Sequence, residues 1–244
     1  MKEFIYSRNA VHEVLRAKRR QVFEIQIAEG AQEKGKIEQI LKFAKERKIK
    51  VTRVPRTKLE RIHEYHQGVV AEVGAYPYSD VIEILDGARQ KNEPPFVLIL
   101  DSLQDPQNLG TLLRTAEAVG VHGVVIPLAR TVEVTPAVVN ASSGASEHLL
   151  IAQANLAQAM DSFKEADIWM VGLDQAGVKM EAGSRHLRGA LGLVVGSEGE
   201  GLRELTRKKC DIVLQLPMRG EIESLNAAVA GSVALYLAYL SRVA

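Results

Sequence analysis

Three separated segments of the chain place amide, carboxylate, hydroxyl and guanidinium side chains close to glycines. The first, DSLQDPQNLGTLLRTAEAVG, spans residues 101–120 and holds Asn108 and Arg114. Asn108 stands where a helix cap is expected. Arg114 has only small residues, Gly110 and Ala118, four positions away on each side, which leaves room beside the guanidinium for a bulky ligand. A simple cap and a surface charge are the alternative interpretation.

The second segment, LGLVVGSEGEGLREL, spans residues 191–205 and is an apolar run followed by a glycine-rich turn. The glycines of the turn are Gly196, Gly199 and Gly201. Glycine lets a backbone approach a ligand closely, but this spacing matches neither the Walker pattern nor G-x-G-x-x-G. Glu198 and Glu200 would repel a polyphosphate, so the turn favours a cationic or hydroxyl-rich ligand. A turn with solvated carboxylates is the alternative.

The third segment, LQLPMRGEIESLNAAVAGSVALYLAYL, spans residues 214–240. We expect a strand that ends near Pro217, followed by a long helix with Ser224 as its cap and Asn226 in its first turn. The residues from 227 to 234 are mostly Ala, Gly and Ser, which allow another helix to approach closely. This pattern fits tight internal packing or a subunit interface.

The elements around these segments predict a mostly parallel sheet from Phe96 onward. Short apolar runs alternate with amphipathic helical segments, and the runs are FVLILD, GVVIPL, LLIAQ, IWMVGL, LGLVVG and DIVLQLPM. Strands this apolar are typical of sheets covered on both faces, and ligands in such sheets bind at the carboxyl ends of the strands. A nucleotide-dependent oxidoreductase is disfavoured because no strand is followed by the dinucleotide fingerprint.

The first 75 residues differ in charge from the rest of the chain. They carry 17 Lys and Arg against 10 Asp and Glu, a balance of +7, whereas residues 76–244 carry 14 against 20, a balance of −6. Clustered Lys and Arg are typical of nucleic-acid binding, although an ordinary basic surface is the alternative. A helix capped by Asn9 and the runs VFEIQIA, KVTRVP and HQGVVAEV predict a small α/β domain.

These patterns predict three parts: an RNA-binding domain at 1–75, a linker around one short helix at 76–95 and a second domain at 96–244. The single cysteine, Cys210, excludes an internal disulfide and a multi-cysteine metal site, and we interpret it as a core residue in a reducing compartment. Charges interrupt every apolar stretch near the amino terminus, so neither a signal peptide nor a spanning helix is expected. We therefore expect a cytoplasmic protein without a bound metal.

In residue type and order, the three segments resemble the motifs of the SpoU family of RNA 2′-O-ribose methyltransferases, within the SPOUT superfamily. Asn108 to Arg114 is similar to the first motif, and Gly196-Ser197-Glu198-Gly199 is similar to the second. Leu216-Pro217 and Ser224-Leu225-Asn226 are similar to the third. The likeness covers residues 96–240. Residues 1–75, through Asn9-Ala10-Val11 and His66-Gln67-Gly68-Val69, resemble the small RNA-binding domain, similar to ribosomal protein L30e, that precedes some members.

The resemblance implies a small amino-terminal L30e-like α/β domain and a carboxyl-terminal, mostly parallel α/β domain with a deep trefoil knot, a topology that no spacing argument predicts. It implies that S-adenosylmethionine lies in the knot, with its adenine held largely by backbone around Gly196, Leu216 and Leu225. It also implies a homodimer in which two subunits build each site, and the small-faced final helix is the expected interface.

The resemblance further implies catalytic roles for Asn108, Arg114, Glu198, Ser224 and Asn226. A ribose 2′-hydroxyl is a poor nucleophile, so it must be positioned and partly deprotonated. Arg114 is the proposed catalytic residue of the family, but a guanidinium is a poor base, so we expect it to orient an RNA phosphate. Glu198 is expected to fix Arg114 or to accept the proton. The amides and the Ser224 hydroxyl are expected to hold the loops and the ribose.

Within the family, the likeness is to the bacterial enzymes that methylate a guanosine ribose in the peptidyl-transferase region of large-subunit rRNA. A tRNA-directed or antibiotic-resistance methylase of the same family is one alternative, because the reactive centre would look the same. A catalytically silent RNA-binding protein of ribosome assembly is the alternative from another functional class. The intact motif residues argue against it.

Overall fold

The structure is a computed structural model that describes residues 2–181, 184–222 and 224–243. Its strands are β1 (Lys2–Tyr6), β2 (Val22–Ala28), β3 (Lys50–Val54), β4 (Val69–Gly74), β5 (Phe96–Leu100), β6 (Gly123–Pro127), β7 (Leu150–Ala154), β8 (Trp169–Lys179), β9 (Leu191–Val195) and β10 (Ile212–Gln215). Its α-helices are α1 (Arg8–Ala17), α2 (Lys36–Glu46), α3 (Arg56–Glu60), α4 (Val81–Gln90), α5 (Pro106–Ala118), α6 (Pro136–Ala141), α7 (Leu156–Glu165), α8 (Glu204–Lys209) and α9 (Ala227–Val243).

The chain forms two compact units. Unit 1 comprises Met1–Pro77 and Glu133–His148, and unit 2 comprises Tyr78–Val132 and Leu149–Ala244. In the part of the chain that is described, no helix is long and apolar enough to cross a membrane.

Unit 1 is built on a mixed four-stranded sheet in the order β1-β4-β2-β3. Strands β2 and β3 are parallel, and β4 is antiparallel to both β1 and β2. The three apolar runs predicted as strands are β2, β3 and β4, whereas β1 is an additional edge strand. Helix α1 begins at Arg8 after Ser7, so Asn9 lies in the first turn and is not the predicted cap.

Unit 1 also contains a segment far along the chain, which differs from the predicted boundaries. Helix α6 packs against β1, and the short 3₁₀ helix Ala145–His148 packs against α1. Glu147 is fully buried and accepts a hydrogen bond of 3.1 Å from Nε of Arg20, which is also buried and pairs with Glu3. A buried guanidinium requires such carboxylate partners, and this one comes from a position 127 residues away.

The predicted linker is also divided between the units. Tyr76 and Pro77 belong to unit 1, whereas α4 belongs to unit 2. Asp80 caps α4 in a capping box, and Ile84 of this helix is fully buried in the core of unit 2. A Cβ at Gly123 would lie only 2.5 Å from the Ile84 side chain, so glycine at the start of β6 allows α4 to pack closely.

Unit 2 is built on a six-stranded sheet in the order β10-β8-β9-β5-β6-β7, in which every neighbouring pair is parallel. This confirms the predicted parallel sheet. Strands β5, β6 and β9 are buried along their whole length, as expected for strands covered on both faces. The carboxyl end of β9 lies beside the middle of β8, at Leu173, and β10 ends on the other side of β8.

The small residues of α9 pack inside unit 2. The buried residues of the helix are Ala228, Gly231, Ala234, Leu235 and Ala238. A Cβ at Gly231 would lie 2.6 Å from Leu112 of α5, and Ser232 Oγ lies 2.9 Å from Thr115 Oγ1 of the same helix. Of the two predicted uses for the small residues, the structure therefore shows internal helix packing at Gly231 and Ser232, and the expected subunit interface on this helix stays a prediction.

Candidate active site

A cavity of about 460 Å³ opens at the carboxyl ends of β9 and β10. Its walls come from three stretches of chain: the middle of β8 from Leu173 to Gln175, the turn after β9 and the segment that joins β10 to α9. The predicted cofactor residues Gly196, Leu216 and Leu225 all line it. A site at the carboxyl edge of a parallel sheet is the usual place for a ligand in this class of fold.

The turn after β9 is a closed loop. Ser197 and Gly201 exchange backbone hydrogen bonds of 3.0 and 3.2 Å, and Gly199 and Gly201 have φ of +84° and +67°. A Cβ at Gly196 would lie 2.2 Å from the carbonyl carbon of Gly201, so this position excludes any side chain. The glycines therefore shape a tight loop that presents the Glu198 side chain at its exposed tip.

The start of α5 differs from the prediction. Asp105 is the cap, and its carboxylate accepts hydrogen bonds from the backbone N–H groups of Gln107 and Asn108. Pro106 occupies the first helical position, where its missing N–H costs nothing. Asn108 is therefore not the cap, and its side chain donates a hydrogen bond to Oε1 of Glu198.

The start of α9 also differs from the prediction. Asn226 caps the helix, because its side-chain oxygen accepts hydrogen bonds of 2.9 and 3.2 Å from the backbone N–H groups of Ala228 and Val229. Ser224 lies two residues before it, exposed at the wall of the cavity. The side-chain nitrogen of Asn226 donates to Glu198 Oε1 at 2.6 Å and to Asn108 Oδ1 at 3.2 Å.

Asn108, Glu198 and Asn226 thus form one hydrogen-bonded cluster, which we call the amide–carboxylate cluster. It joins residues from all three predicted motifs at the rim of the cavity. Both amide nitrogens donate to the same carboxylate oxygen, Oε1, so the orientation of the Glu198 side chain is set by two partners.

Arg114 lies elsewhere on α5. It is exposed, and it follows Asn108 by six residues, which corresponds to about 9 Å along the helix and about 120° around it. Arg114 is absent from the cavity wall. Glu198, Ser224 and Asn226 therefore line the cavity of one chain, and Asn108 is joined to it by hydrogen bonds to Glu198 and Asn226. Arg114 lies outside the cavity wall, on the exposed surface of α5.

Two carboxylates missed by the sequence analysis support the site. Asp101, which follows β5, is fully buried and accepts hydrogen bonds from the backbone N–H and the side chain of Arg203. Asp174 lines the cavity from β8 and pairs with Arg207 of α8 at 3.1 Å. Each acidic residue directly follows an apolar run, FVLIL or IWMVGL, and this position was the signal that could have identified them.

The cavity fits S-adenosylmethionine in size and chemistry. Its volume of about 460 Å³ lies within the range of small-molecule sites. The side chains of Leu173 and Leu216 offer apolar contacts for an adenine, and the carboxylates of Glu198 and Glu200 can face a cationic group. When bound there, S-adenosylmethionine supplies an electrophilic methyl group on a sulfonium.

Comparisons with known proteins match both parts of the chain to described families. The family described as SpoU rRNA Methylase matches residues 95–236, and the family described as RNA 2′-O ribose methyltransferase substrate binding matches residues 4–79. YacO of Bacillus subtilis strain 168, which is named as a TrmH family tRNA/rRNA methyltransferase, is 43% identical over 98% of this chain and 96% of its own.

Solved structures share the fold. AviRb from Streptomyces viridochromogenes, a SpoU methyltransferase crystallised with its cofactor AdoMet, matches with a TM-score of 0.82 and 22% identity, over 99% of this chain and 91% of that chain. A structure concerned with 2-OH methylation of C/U34 on tRNA matches with a TM-score of 0.54 and 26% identity, over 61% of this chain and 96% of that chain. The chain therefore belongs to the SpoU, or TrmH, family of S-adenosylmethionine-dependent RNA methyltransferases, and its fold implies the deep trefoil knot of that family.

Proposed function

We propose that this protein methylates the 2′-hydroxyl of a guanosine in the peptidyl-transferase region of large-subunit rRNA, in the cytoplasm. The observation that carries the proposal is the amide–carboxylate cluster, which places three motif residues at the rim of a cavity of suitable size. The choice of rRNA is supported by the name of the matched catalytic family. The choice of guanosine depends on the resemblance of the three motifs to those of the bacterial enzymes that methylate a guanosine ribose of large-subunit rRNA.

The two-unit organisation favours a large RNA over tRNA. The tRNA-directed structure is almost fully covered by the match but accounts for only 61% of this chain, whereas a structure named as an rRNA methyltransferase from Sinorhizobium meliloti matches 97% of it. The matched substrate-binding family covers residues 4–79, where basic residues predominate. A separate basic module extends the surface that can contact RNA phosphates beyond the reacting nucleotide.

In this proposal Glu198 accepts the proton of the ribose hydroxyl. The side-chain amides of Asn108 and Asn226 hold its Oε1, so the carboxylate keeps one orientation while the hydroxyl binds. The Ser224 hydroxyl, exposed at the cavity wall, forms a hydrogen bond with the ribose, as donor or as acceptor. Arg114 orients an RNA phosphate and does not act as a base, since a guanidinium stays protonated in proteins.

We propose that the active form is a homodimer formed through an exposed apolar stripe on α9. The α9 stripe consists of Val229, Val233, Tyr236, Leu240 and Val243, which are 41 to 64% exposed. These residues are spaced four and three positions apart in alternation, the spacing of a helix–helix seam. A second copy of the chain offers an identical stripe, and symmetric pairing of like surfaces is the commonest way to form a dimer.

A dimer of this kind also gives Arg114 a role. Thr115, the next residue on α5, contacts Ser232 of α9, so Arg114 lies on the helix that borders the α9 stripe. In a pair built on this stripe, we propose that Arg114 of one protomer completes the cavity of its partner. The absence of Arg114 from its own cavity wall fits this arrangement.

The experiment that tests the function is to map 2′-O-methyl groups in rRNA and tRNA from cells with and without this protein. We expect one methyl group on a large-subunit guanosine to disappear and to return when purified protein and S-adenosylmethionine are added to the unmodified RNA. Loss of a tRNA methyl group with intact rRNA methylation would contradict the substrate assignment. No change in any RNA, together with no calorimetric binding of S-adenosylmethionine, would favour a silent RNA-binding protein.

A further inference from the structure

Unit 1 contains a cavity of its own, of about 300 Å³, beyond the carboxyl ends of β2 and β3. Three cationic residues line it: Arg8 at the start of α1, Lys34 in the loop after β2 and Arg56 at the start of α3. One carboxylate, Glu29, lies in the same wall. The excess of positive charge in this wall suits a phosphate.

Arg8 is held in place at this cavity by two hydrogen bonds to Gln67, which also lines the cavity. Its backbone N–H donates to Gln67 Oε1 at 3.1 Å, and its side-chain Nε donates to the backbone oxygen of Gln67 at 3.0 Å. Neither bond uses the two terminal nitrogens of the guanidinium. An arginine fixed through Nε can present those nitrogens to a phosphate as a bidentate donor without losing further side-chain freedom.

A stack of aromatic rings stands beside the cavity. Tyr6 and His63 lie parallel, with ring centroids 3.7 Å apart and an interplanar angle of 9°. Tyr65 contacts His63 with centroids 5.6 Å apart and is itself 63% exposed. Burial of an aromatic ring stabilises a protein, so an exposed tyrosine that rests on a packed pair of rings is poised to stack on a further flat group.

One loop, residues 63–68, contributes both to the cavity wall and to the aromatic rings. It contains His63 and Tyr65 of the rings and Gln67 and Gly68 of the wall. His63 Nδ1 accepts a hydrogen bond of 3.2 Å from the backbone N–H of Tyr65, and His66 Nδ1 accepts one of 2.9 Å from the backbone N–H of Gly68. Tyr65 is therefore only two residues along the chain from Gln67, to which Arg8 is bonded.

We propose that Tyr65, Arg8, Lys34 and Arg56 form a nucleotide site that binds one unpaired nucleotide of the RNA substrate, with its base stacked on Tyr65 and its phosphate in the cavity. The bases of a duplex already stack on their neighbours, so only an unpaired base can offer a face to Tyr65. The proposal depends on the proposed function, because it assumes that the chain acts on RNA. It narrows the substrate to RNA that contains a loop, bulge or single strand.

The test uses the full-length protein and a short single-stranded RNA that contains 2-aminopurine, whose fluorescence is quenched on stacking. We expect binding with quenching for the wild type and for Tyr65→Phe, and about ten-fold weaker binding without quenching for Tyr65→Ala. Arg8→Ala and Arg56→Ala should each lower the slope of log affinity against log salt by about 0.7. The matched control is Lys42→Ala, an exposed cation on α2 outside the cavity, which should bind as the wild type does.

A duplex of the same sequence should bind more weakly than the single strand and should show no difference between wild type and Tyr65→Ala. Equal affinity and equal quenching in Tyr65→Ala and wild type would overturn the site. So would identical salt slopes for Arg8→Ala, Arg56→Ala and Lys42→Ala. Methylation by the wild type, measured in parallel, separates the two proposals. If the wild type methylates RNA but Tyr65→Ala binds as the wild type does, the nucleotide site is wrong and the proposed function stands. If quenching depends on Tyr65 but no RNA is methylated, the nucleotide site stands and the proposed function is wrong.

Discussion

The side chain of Asn226 stabilises both the start of α9 and the loop after β9: its oxygen caps α9, and its nitrogen donates a hydrogen bond of 2.6 Å to Glu198. The start of the last helix and the loop after β9 are therefore connected through a single amide. An amide side chain accepts at its oxygen and donates at its nitrogen, and asparagine is the shorter of the two amides and a preferred helix cap.

The double role of Asn226 can be separated by substitution. Asn226→Ser keeps a capping oxygen but loses the donor to Glu198, so we expect near wild-type thermal stability with greatly reduced methyl transfer. Asn226→Ala loses both and should also lower the free energy of unfolding by about 0.5 to 2 kcal/mol. Thermal melts and methyl-transfer rates on the same preparations check this, and full activity in Asn226→Ser would remove the amide–carboxylate cluster from the mechanism.

Arg114→Ala should abolish methyl transfer while calorimetric affinity for S-adenosylmethionine stays nearly unchanged, because Arg114 lies outside the cavity wall. The control is Arg89→Ala, an exposed arginine on α4, which should retain activity. Mixing Arg114→Ala with Asn226→Ala protein tests whether Arg114 acts across the dimer. If it does, mixed dimers contain one intact site and regain activity; if both residues act within one chain, the mixture stays inactive.

Val233→Glu should disrupt the dimer, because it places a charge in the middle of the α9 stripe, where pairing would bury it without a partner. Sedimentation or light scattering should give the mass of one chain for this variant and of two chains for the wild type. Ile82→Glu replaces another exposed apolar residue, on α4 and outside the α9 stripe, and should remain dimeric. A monomeric wild type with full activity would contradict the proposed dimer.

Cys210 should be unreactive in the folded protein. Burial raises the pKa of its thiol to about 12, with a smaller contribution from the adjacent Asp211, so the thiolate is scarce at neutral pH. We expect a thiol reagent to label Cys210 only after denaturation. Rapid labelling under native conditions would show that α8 and β10 open locally, and would contradict its interpretation as a core residue.

Protein stability should fall as the pH drops below about 6.5, the ordinary pKa of histidine. Burial lowers the pKa of His122, whose Nδ1 accepts a hydrogen bond of 3.0 Å from the backbone of Phe96, and burial likewise lowers the pKa of His66. Because the folded pKa values lie below the unfolded ones, the unfolded chain takes up protons first, so stability is complete above that pH and is lost below it. Melting temperatures across this range, with NMR titration of both rings, provide the measurement.

Much of the fold was predictable because its signals are local. An apolar run such as the one that forms β5 or β9 indicates a buried strand whatever surrounds it, and strands separated by helical segments indicate a parallel sheet. The motif residues were also predictable as a set, since residue type and spacing suffice for a likeness. The helix caps were less predictable. Asp105 and Asn108 are both chemically suitable caps for α5, as are Ser224 and Asn226 for α9. Only the backbone path decides which side-chain oxygen accepts from the N–H groups at the start of the helix.

By itself, the sequence determined the strands of unit 2, the basic character of residues 1–75 and the residue types available for chemistry. The tertiary structure decided which of them meet: Glu147 with Arg20, Glu198 with Asn108 and Asn226, and the small face of α9 with α5. These contacts join positions 28 to 127 residues apart, or select one helix face over another. Their existence depends on the path of the folded backbone, for which a local pattern of side chains contains no signal.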